Sequence, residues 1–344
     1  MRFRGWTWPL YRSLLQHSRC PILIGPFRGE VGFEVMYWLP WLAAVRAKLQ
    51  LAPERLIPIT RGGAGAWYQT PTAIELYAMR TPQDVRIQNR LQTFTSQMQK
   101  QMVVTDWDRA VLQDAAETLK CGRYLTLHPA WMYQACAPFW LGERGLEWFL
   151  TRTQFQQPMP APATDLPLPS PFVAVGFYHR GTFPANEVTA TVAKTTIAQL
   201  ATQSDVVLLT SGSHLDDHHA FIPKKRPSNV VLLSDLVLLT PENNLAVQSA
   251  VLNKAMGFVG TYGGLSQLAL RLGKPSVSFF QDWGGTSYAH KHLADFVSLA
   301  TGIPYLVQRV ADVPLARSVL PAIEFRPVQN SAPAAGQVPA AVVA

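Results

Sequence analysis

In the second half of the chain, short apolar runs alternate with stretches of helical spacing. "PFVAVGFYH" reads as a buried strand, and Asn186 stands where an N-cap belongs ahead of "EVTATVAKTTIAQLATQ". "DVVLLT" and "NVVLL" are β-branched runs of strand length. Thr240-Pro241-Glu242 has the form of a helix start, with proline at the first helical position, and leads into "NNLAVQSAVLNKAM". "GFVGT" is a further strand. Leu265, Leu268, Ala269 and Leu272 then give the i, i+3, i+4, i+7 stripe of a helix, which Gly273 closes before "PSVSFF" supplies the next strand. Strands and helices in this alternation imply a parallel, doubly wound sheet.

The first half begins the same way. "CPILIG" and "ERLIPIT" are strands around "VGFEVMYWLPWLAAVRAKL", which is helical except at Pro40. "PTAIELYAMR", "RLQTFTSQMQKQM" and "DWDRAVLQDAAETLK" read as helices and "RYLTL" as a strand, while the surroundings of Trp131 are ambiguous. "QQPMPAPATDLPLPSP" is rich in proline and lacks periodicity, so it reads as a stiff connector. The expected organisation is an arm at 1–19, an α/β domain at 20–155, the connector at 156–171 and a second α/β domain at 172–315. Residues 327–344 have the composition of a disordered tail. The fold class is thus α/β, two Rossmann-like parallel-sheet domains facing a cleft.

Composition narrows the partners. Of 344 residues, 48% are hydrophobic and only 15% charged, which suits two well-packed domains. The formal net charge of +8 favours an anionic partner without choosing among a phosphorylated small molecule, nucleic acid and an acidic membrane surface. No nucleic-acid-binding module is recognisable, so nucleic acid is the weakest of these. Cys20, Cys121 and Cys136 have neither CxxC nor metal-ligand spacing, and a reducing, cytoplasmic setting is expected. The N-terminal stretch has no uninterrupted apolar core of a secretory signal. Its Trp6, Trp8, Leu10, Tyr11, Leu14 and Leu15 beside Arg2, Arg4, Arg12 and Arg19 fit a peripheral contact with the inner membrane or an arm packed on its own domain.

Ligands of open parallel sheets bind beyond the carboxyl ends of the strands. Those ends carry "PFRGEVGFE", "RGGAGAWYQT", "YHRGTFPANE", "SGSHLDDHH", "YGGLSQ" and "QDWGGTSY". At Gly263 and Gly264 a ligand can approach the backbone, and the amides of Leu265, Ser266 and Gln267 lie at a helix start suited to phosphate, with the Ser266 hydroxyl beside them. The plain alternative is a tight strand-to-helix turn. In His179-Arg180-Gly181-Thr182 the Arg180 guanidinium offers bidentate bonds to a diphosphate. Neither GxxxxGK[ST] nor GxGxxG after a strand is present, which weighs against a P-loop enzyme and a dinucleotide oxidoreductase. In "RGEVGFE", Glu30 is a candidate base for an acceptor hydroxyl, and Glu34 a second candidate or a buried structural partner; Arg28, Gly29 and Gly32 border them. Ser211, Thr261 and Asp282 complete the candidate substrate contacts.

"GEVG" after the first strand and "FVGTYGGLSQLALRLGKPSVSFF" resemble GT-B glycosyltransferases, most of all the ADP-heptose:lipopolysaccharide heptosyltransferases. "YHRGT" is similar to the phosphate-gripping arginine motif of GT-B fucosyltransferases. The resemblance implies that Thr261 to Gln267 and Gly273-Lys274-Pro275 cradle a donor's phosphates, that Arg180 contacts the diphosphate and that Glu30 is the base. It implies transfer of a hexosyl-, heptosyl- or fucosyl-type sugar from a nucleotide-sugar donor to a glycan or lipid-linked acceptor, without metal or other cofactor, in surface polysaccharide biosynthesis. Gly260 stands where the family usually has aspartate, a departure that bears on the detailed donor contacts; separately, the absence of a Glu-x7-Glu pair tilts the expectation towards inversion. A nucleotide-sugar epimerase or hydrolase and a non-catalytic glycan-assembly scaffold remain alternatives. "SHLDDHH" (His214, Asp216, Asp217, His218, His219) has metal-ligand types but reads as a polar loop before Lys224-Lys225-Arg226. "RGGAGAWYQT" offers Trp67 and Tyr68 to an acceptor sugar, or is a plain turn; Asp282, Trp283 and Thr286 are placed to meet the donor.

Overall fold

The computed structural model describes residues 7–96, 101–156, 158–210, 219–283 and 287–312. The first lobe carries α1 (Thr7–His17), β1 (Ile22–Ile24) and α2 (Val31–Phe33). A π-helical turn, Glu34–Trp38, joins α2 to α3 (Leu39–Leu49), and β2 (Leu56–Thr60), β3 (Ile74–Glu75), α4 (Pro82–Ser96), α5 (Asp106–Thr118), β4 (Leu125–Leu127), α6 (Pro129–Trp140) and α7 (Leu146–Leu150) follow. Its four strands are parallel in the order β3-β2-β1-β4.

The second lobe runs β5 (Phe172–Gly176), β6 (Tyr178–His179), α8 (Glu187–Ala201), β7 (Asp205–Leu208), β8 (His219–Ala220) and β9 (Val230–Leu232). It continues through α9 (Leu233–Leu236), α10 (Asn244–Lys254), β10 (Phe258–Thr261), α11 (Gly264–Arg271), β11 (Ser276–Phe280), α12 (Ser287–Thr301) and β12 (Tyr305–Arg309). Six strands pair in parallel in the order β12-β11-β10-β5-β7-β9. Counted within the lobe this is 6-5-4-1-2-3, the doubly wound order, whose direction reverses between β5 and β10. The first lobe repeats the inner part of the same order and reverses between β1 and β4. The fold is α/β, two Rossmann-like parallel-sheet units set against each other, as the sequence led us to expect.

Alternation along the strands explains the layers. Val173, Val175, Val206, Leu208, Val259 and Val277 pack on one face with Val192, Ala193 and Ile197 of α8. Phe172, Ala174, Val207 and Phe258 point to the other face, towards α10, α11 and α12. That second core continues without a break into the first lobe, through Val35, Trp38, Trp67 and Tyr133. Asn186 caps α8 as expected, accepting from the Thr189 amide at 3.0 Å. Gly273 leaves α11 at φ 77°, a left-handed conformation natural to glycine.

Several sequence expectations need correction. "PTAIELYAMR" is not a helix: Ile74 and Glu75 add to the sheet beside Ile59 and Thr60, and a 3-10 turn follows. Helix α10 begins after Thr240-Pro241-Glu242, because Asn243 Oδ1 accepts from the Thr240 amide and folds these residues into a turn. The segment around Trp131 is helix α6, opened by His128, whose side chain caps the Ala130 amide. Helix α12, strand β12 and the small β6–β8 ribbon had no counterpart in the sequence reading. The arm packs on its own lobe: Leu15 is buried, and Tyr11 donates to the Thr126 carbonyl at 2.8 Å. Leu10 and Leu14 stay exposed. No described helix is long and apolar enough to cross a membrane. The three cysteines are unpaired.

Candidate functional site

Both switch points face the boundary between the lobes. In the second lobe, β5 runs into Tyr178, His179 and Arg180, and β10 runs into Tyr262, Gly263 and Gly264. The Thr261 hydroxyl ties the two together, accepting from the Tyr178 amide and donating to the Tyr178 carbonyl, both at 3.0 Å. Thr261 is therefore a buried clamp between strand ends. An isolated bridge between Arg180 and Phe183 turns the chain back, and the Thr182 carbonyl accepts from the Gln281 amide.

Gly263 has φ 157° and ψ −149°, a region that only glycine occupies readily. A Cβ there would stand 2.2 Å from the Tyr178 hydroxyl and 3.3 Å from Arg180 Nη1. The arginine and the glycine turn are thus neighbours on one side of the lobe. Across the boundary, Arg180 Nη2 meets Glu30 Oε2 at 3.5 Å, with the two side chains 26% and 34% exposed. Burial alone would lower the Arg180 pKa, but the Glu30 carboxylate and Tyr178 reverse that and raise it, so the guanidinium stays charged.

Gly264 has a different reason to be glycine. A Cβ would meet Val31 Cβ at 3.0 Å and the Gly32 amide at 3.1 Å, and one on Gly32 would fall 2.2 Å from Gln267 Oε1. The starts of α11 and α2 abut, so these two glycines permit lobe packing, where the sequence reading had a ligand approaching Gly264. Leu265 is half-buried beside them and Gln267 is buried. Ser266 is turned inward: its hydroxyl donates to the Gly263 carbonyl at 2.8 Å, accepts from the Gly263 amide at 3.2 Å and lies 3.1 Å from the Tyr305 hydroxyl. It caps its own turn.

The remaining candidates separate by burial. Glu34 is fully buried, 2.7 Å from Arg61 Nη1 and bonded by the hydroxyls of Thr60 and Tyr68, so it is the structural partner of the two glutamates. Arg28 is also no cleft residue. It donates to Asp108 through Nε at 3.0 Å and to Asn89 through Nη1, and it is 1% exposed. The Gly29 carbonyl accepts from Arg61 at 2.5 Å. "RGGAGAWYQT" is an inter-lobe contact: Gly62 and Gly63 press on Leu245 and Ala246 of α10, and Trp67 donates to Ser249 at 3.2 Å. Asp282 is exposed and loosely paired with Arg309 at 3.8 Å. His179 Nδ1 and Thr182 Oγ1 are buried without a hydrogen-bond partner, as is Thr210 Oγ1 at the end of β7. Ser211, Thr286 and all of the His/Asp loop except His219 lie outside the described residues. Among the described residues, no cluster of three metal-ligating side chains occurs.

Sequence reasoning missed His290, which enters from α12 of the second lobe into an aromatic nest of the first. Its ring lies 4.7 Å from that of Phe33 and 5.2 Å from that of Tyr37, and Nδ1 is 2.5 Å from the Tyr37 hydroxyl. Burial lowers its pKa to about 4 in spite of the opposing pull of Glu30. Only the strand–helix alternation beyond "PSVSFF" could have suggested it, since nothing in "SYAHKH" marks one histidine over another.

No protein-family model and no curated protein matches the chain. Among solved structures it is similar to the E. coli heptosyltransferase WaaC with ADP, at 14% identity and a TM-score of 0.43, covering 89% of this chain and 98% of that one. It is also similar to a glycosyl transferase family 9 protein from Veillonella parvula, at 10% identity, TM-score 0.42 and coverage of 89% and 90%. The glycosyltransferase SnogD from Streptomyces nogalater gives 14%, 0.40, 89% and 92%. Likeness of this degree assigns no activity.

Proposed function

We propose that the protein is a glycosyltransferase that moves a sugar from a nucleotide-activated donor to a hydroxyl of a glycan or lipid-linked acceptor. The observation that carries this is the meeting of three elements at the two switch points: the Arg180 guanidinium, the Gly263 turn at the start of α11, and the Glu30 carboxylate facing them from the other lobe. The first two suit a diphosphate, because a permanent cation and the positive end of a helix lie together. Glu30, bordering the same place and partly exposed, suits proton abstraction.

In the reaction, the acceptor oxygen forms a bond to the anomeric carbon while the bond from that carbon to the diphosphate oxygen breaks. The hydroxyl proton passes to Glu30, and the electron pair leaves with the nucleoside diphosphate, whose developing charge Arg180 stabilises. A single attack of this kind inverts the anomeric centre. Surface polysaccharide assembly is the setting we favour, with α1 and its exposed Leu10 and Leu14 as a peripheral membrane contact.

The test is thermal stabilisation by UDP, GDP, ADP and CDP, followed by turnover of the matching nucleotide sugars. One nucleoside diphosphate should stabilise the protein, and Arg180→Ala should abolish the effect. Glu30→Gln should keep the stabilisation and lower turnover about 10²–10⁴-fold. No response to any of the four nucleotides would refute the proposal.

A further inference from the structure

We infer that His290 is a positioning residue for Glu30: by gripping Phe33 and Tyr37 from the second lobe, it fixes the helix that Glu30 opens at the distance from Arg180 that transfer needs. The inference rests on the transferase reading above and adds a residue to it.

Glu30 is the residue before α2, and its own side chain makes no cap to that helix. Its place therefore depends on where the helical segment from Val31 through the π-helical turn is held. Phe33 and Tyr37 lie on this segment one turn apart, and both touch the His290 ring. Tyr37 is itself fixed by edge contacts to Trp140 and Phe149, so the first lobe presents a rigid socket. The imidazole entering the socket belongs to the first turn and a half of α12, an element of the lobe that carries Arg180. The Glu30–Arg180 pair also bridges the lobes, and at 3.5 Å it is too long to set their spacing by itself. Of these two links the Tyr37–His290 hydrogen bond is the shorter, and it acts on the same segment that Arg271 Nε of α11 meets at the Val35 carbonyl, 3.1 Å away. Tyr37 keeps its proton because burial pushes its pKa up, and His290 is neutral over the ordinary pH range, so the phenol donates to Nδ1. A bond between neutral groups in an apolar nest resists salt and water better than a half-exposed ion pair.

A double-mutant cycle in turnover tests this on the full chain. Tyr37→Phe removes only the hydroxyl; His290→Phe keeps a somewhat larger ring in the socket and removes both ring nitrogens, Nδ1 among them. Each should lower kcat about tenfold while the donor KM and the stabilisation by nucleoside diphosphate stay within twofold. The double variant should be no worse than either single one, since both delete the same bond. His290→Asn, which keeps a hydrogen-bonding group near the position of Nδ1, should recover part of the loss. A merely structural role would lower the melting temperature with kcat per folded molecule unchanged. That result, or additive losses in the double variant, overturns the inference and leaves the transferase reading intact. Absence of nucleotide-sugar turnover in the unmutated protein overturns the transferase reading, and this inference with it.

Discussion

The two lobes place similar residues at their strand ends and use them in opposite ways. In the first lobe Arg28 and Glu34 find their partners below the surface, although Trp38 Nε1, Arg55 Nη2, His128 Nε2 and Trp140 Nε1 are buried without one. Arg28 pairs with Asp108, Asn89 and Gln101 close the same knot, and Glu34 is bonded by Arg61, Thr60 and Tyr68. In the second lobe Arg180 is partly exposed, and His179 Nδ1, Thr182 Oγ1 and Thr210 Oγ1 are buried without partners. A group taken from water without a hydrogen bond costs about 1–3 kcal/mol, and two of these in the second lobe, His179 and Thr182, flank Arg180 in the chain. The difference teaches a division of labour. On the proposed reading the first lobe presents Glu30 from a framework in which Arg28 and Glu34 are spent on internal partners, and the second presents a partly exposed Arg180 to it.

The most direct way to break that comparison is to remove one arginine from each lobe. Arg180→Ala should cost turnover roughly 10²–10³-fold, as loss of a charge-stabilising donor does, while moving the melting temperature little. Arg28→Ala should do the reverse. It strands Asp108 in the interior and should cost about 3–5 kcal/mol of stability, measured by denaturant unfolding, with the nucleoside-diphosphate response retained in the molecules that remain folded. If Arg28→Ala removed nucleotide stabilisation while leaving the melting temperature alone, the assignment of the two lobes would be reversed.

Acid unfolding should show the same contrast as two separate windows. Burial works to raise the Asp108 carboxyl, but the His128 ring, its Nε2 3.5 Å away, and the charge of Arg28 outweigh it and hold the group well below its ordinary 3.8. A carboxyl depressed in the folded state gives stability that is present above 3.8 and lost as pH falls further. His290 is depressed from 6.5 to about 4, so the unfolded chain binds the extra proton first, and stability drops as pH falls from about 6.5 to about 4. Each unit of such a difference is worth roughly 1.4 kcal/mol before allowance for the ring's partial exposure. Melting temperatures measured from pH 8 to 3 should therefore fall in two stages. His290→Phe should flatten the first and leave the second; an unchanged first stage would remove His290 as its source.

Legibility in the sequence followed the same line between satisfied and unsatisfied groups. The strands and helices of the second lobe could be read from Phe172 to Phe280 because buried parallel strands are continuous apolar runs and Asn186 and Gly273 are strong end signals. Ile74 and Glu75 escaped notice because a two-residue strand has no period, and "AIELYAM" alone has the composition of a helix. Arg180 and the glycine turn could be found as phosphate-suited types at strand ends, and the structure brings them together. What no spacing could reveal is that Gly264 and Gly32 face one another, that Ser266 points inward, and that Arg28 and Glu34 are spent on partners as distant in sequence as Asp108 and Arg61. These are facts of tertiary partnering, as is the entry of His290 into the socket made by Phe33 and Tyr37.

The glycines sharpen the comparison at a smaller scale. Gly263→Ala puts a Cβ into both a left-handed backbone and the Tyr178 hydroxyl, so about 1–3 kcal/mol of strain falls on the turn that neighbours Arg180. Nucleoside-diphosphate stabilisation should be lost along with part of the stability. Gly32→Ala meets only the far end of the flexible Gln267 side chain, which can turn aside. It should stay within about 1 kcal/mol of the parent in denaturant unfolding, with the nucleotide response kept. Equal effects of the two would argue that the lobe boundary as a whole, more than the Gly263 turn, holds the anion.

The smallest expected effect on turnover lies in the contact between β2's following loop and α10, where the scaffold of one lobe touches the scaffold of the other. Trp67 donates its indole N–H to Ser249 Oγ at 3.2 Å, and Ser249 in turn donates to the Leu245 carbonyl at 2.6 Å. Trp67→Phe removes the first of these bonds together with part of the buried indole, and the serine hydroxyl retains its own acceptor. The loss should be that of one neutral hydrogen bond and of the buried atoms removed, about 1–3 kcal/mol of stability. Because this bond joins Trp67 to Ser249 and involves neither Glu30 nor Arg180, kcat and donor KM should both remain at the parent's values. A fall in kcat comparable to that of His290→Phe would mean that the spacing of the catalytic pair is set by the whole lobe boundary, with the Tyr37–His290 bond as one contributor among several.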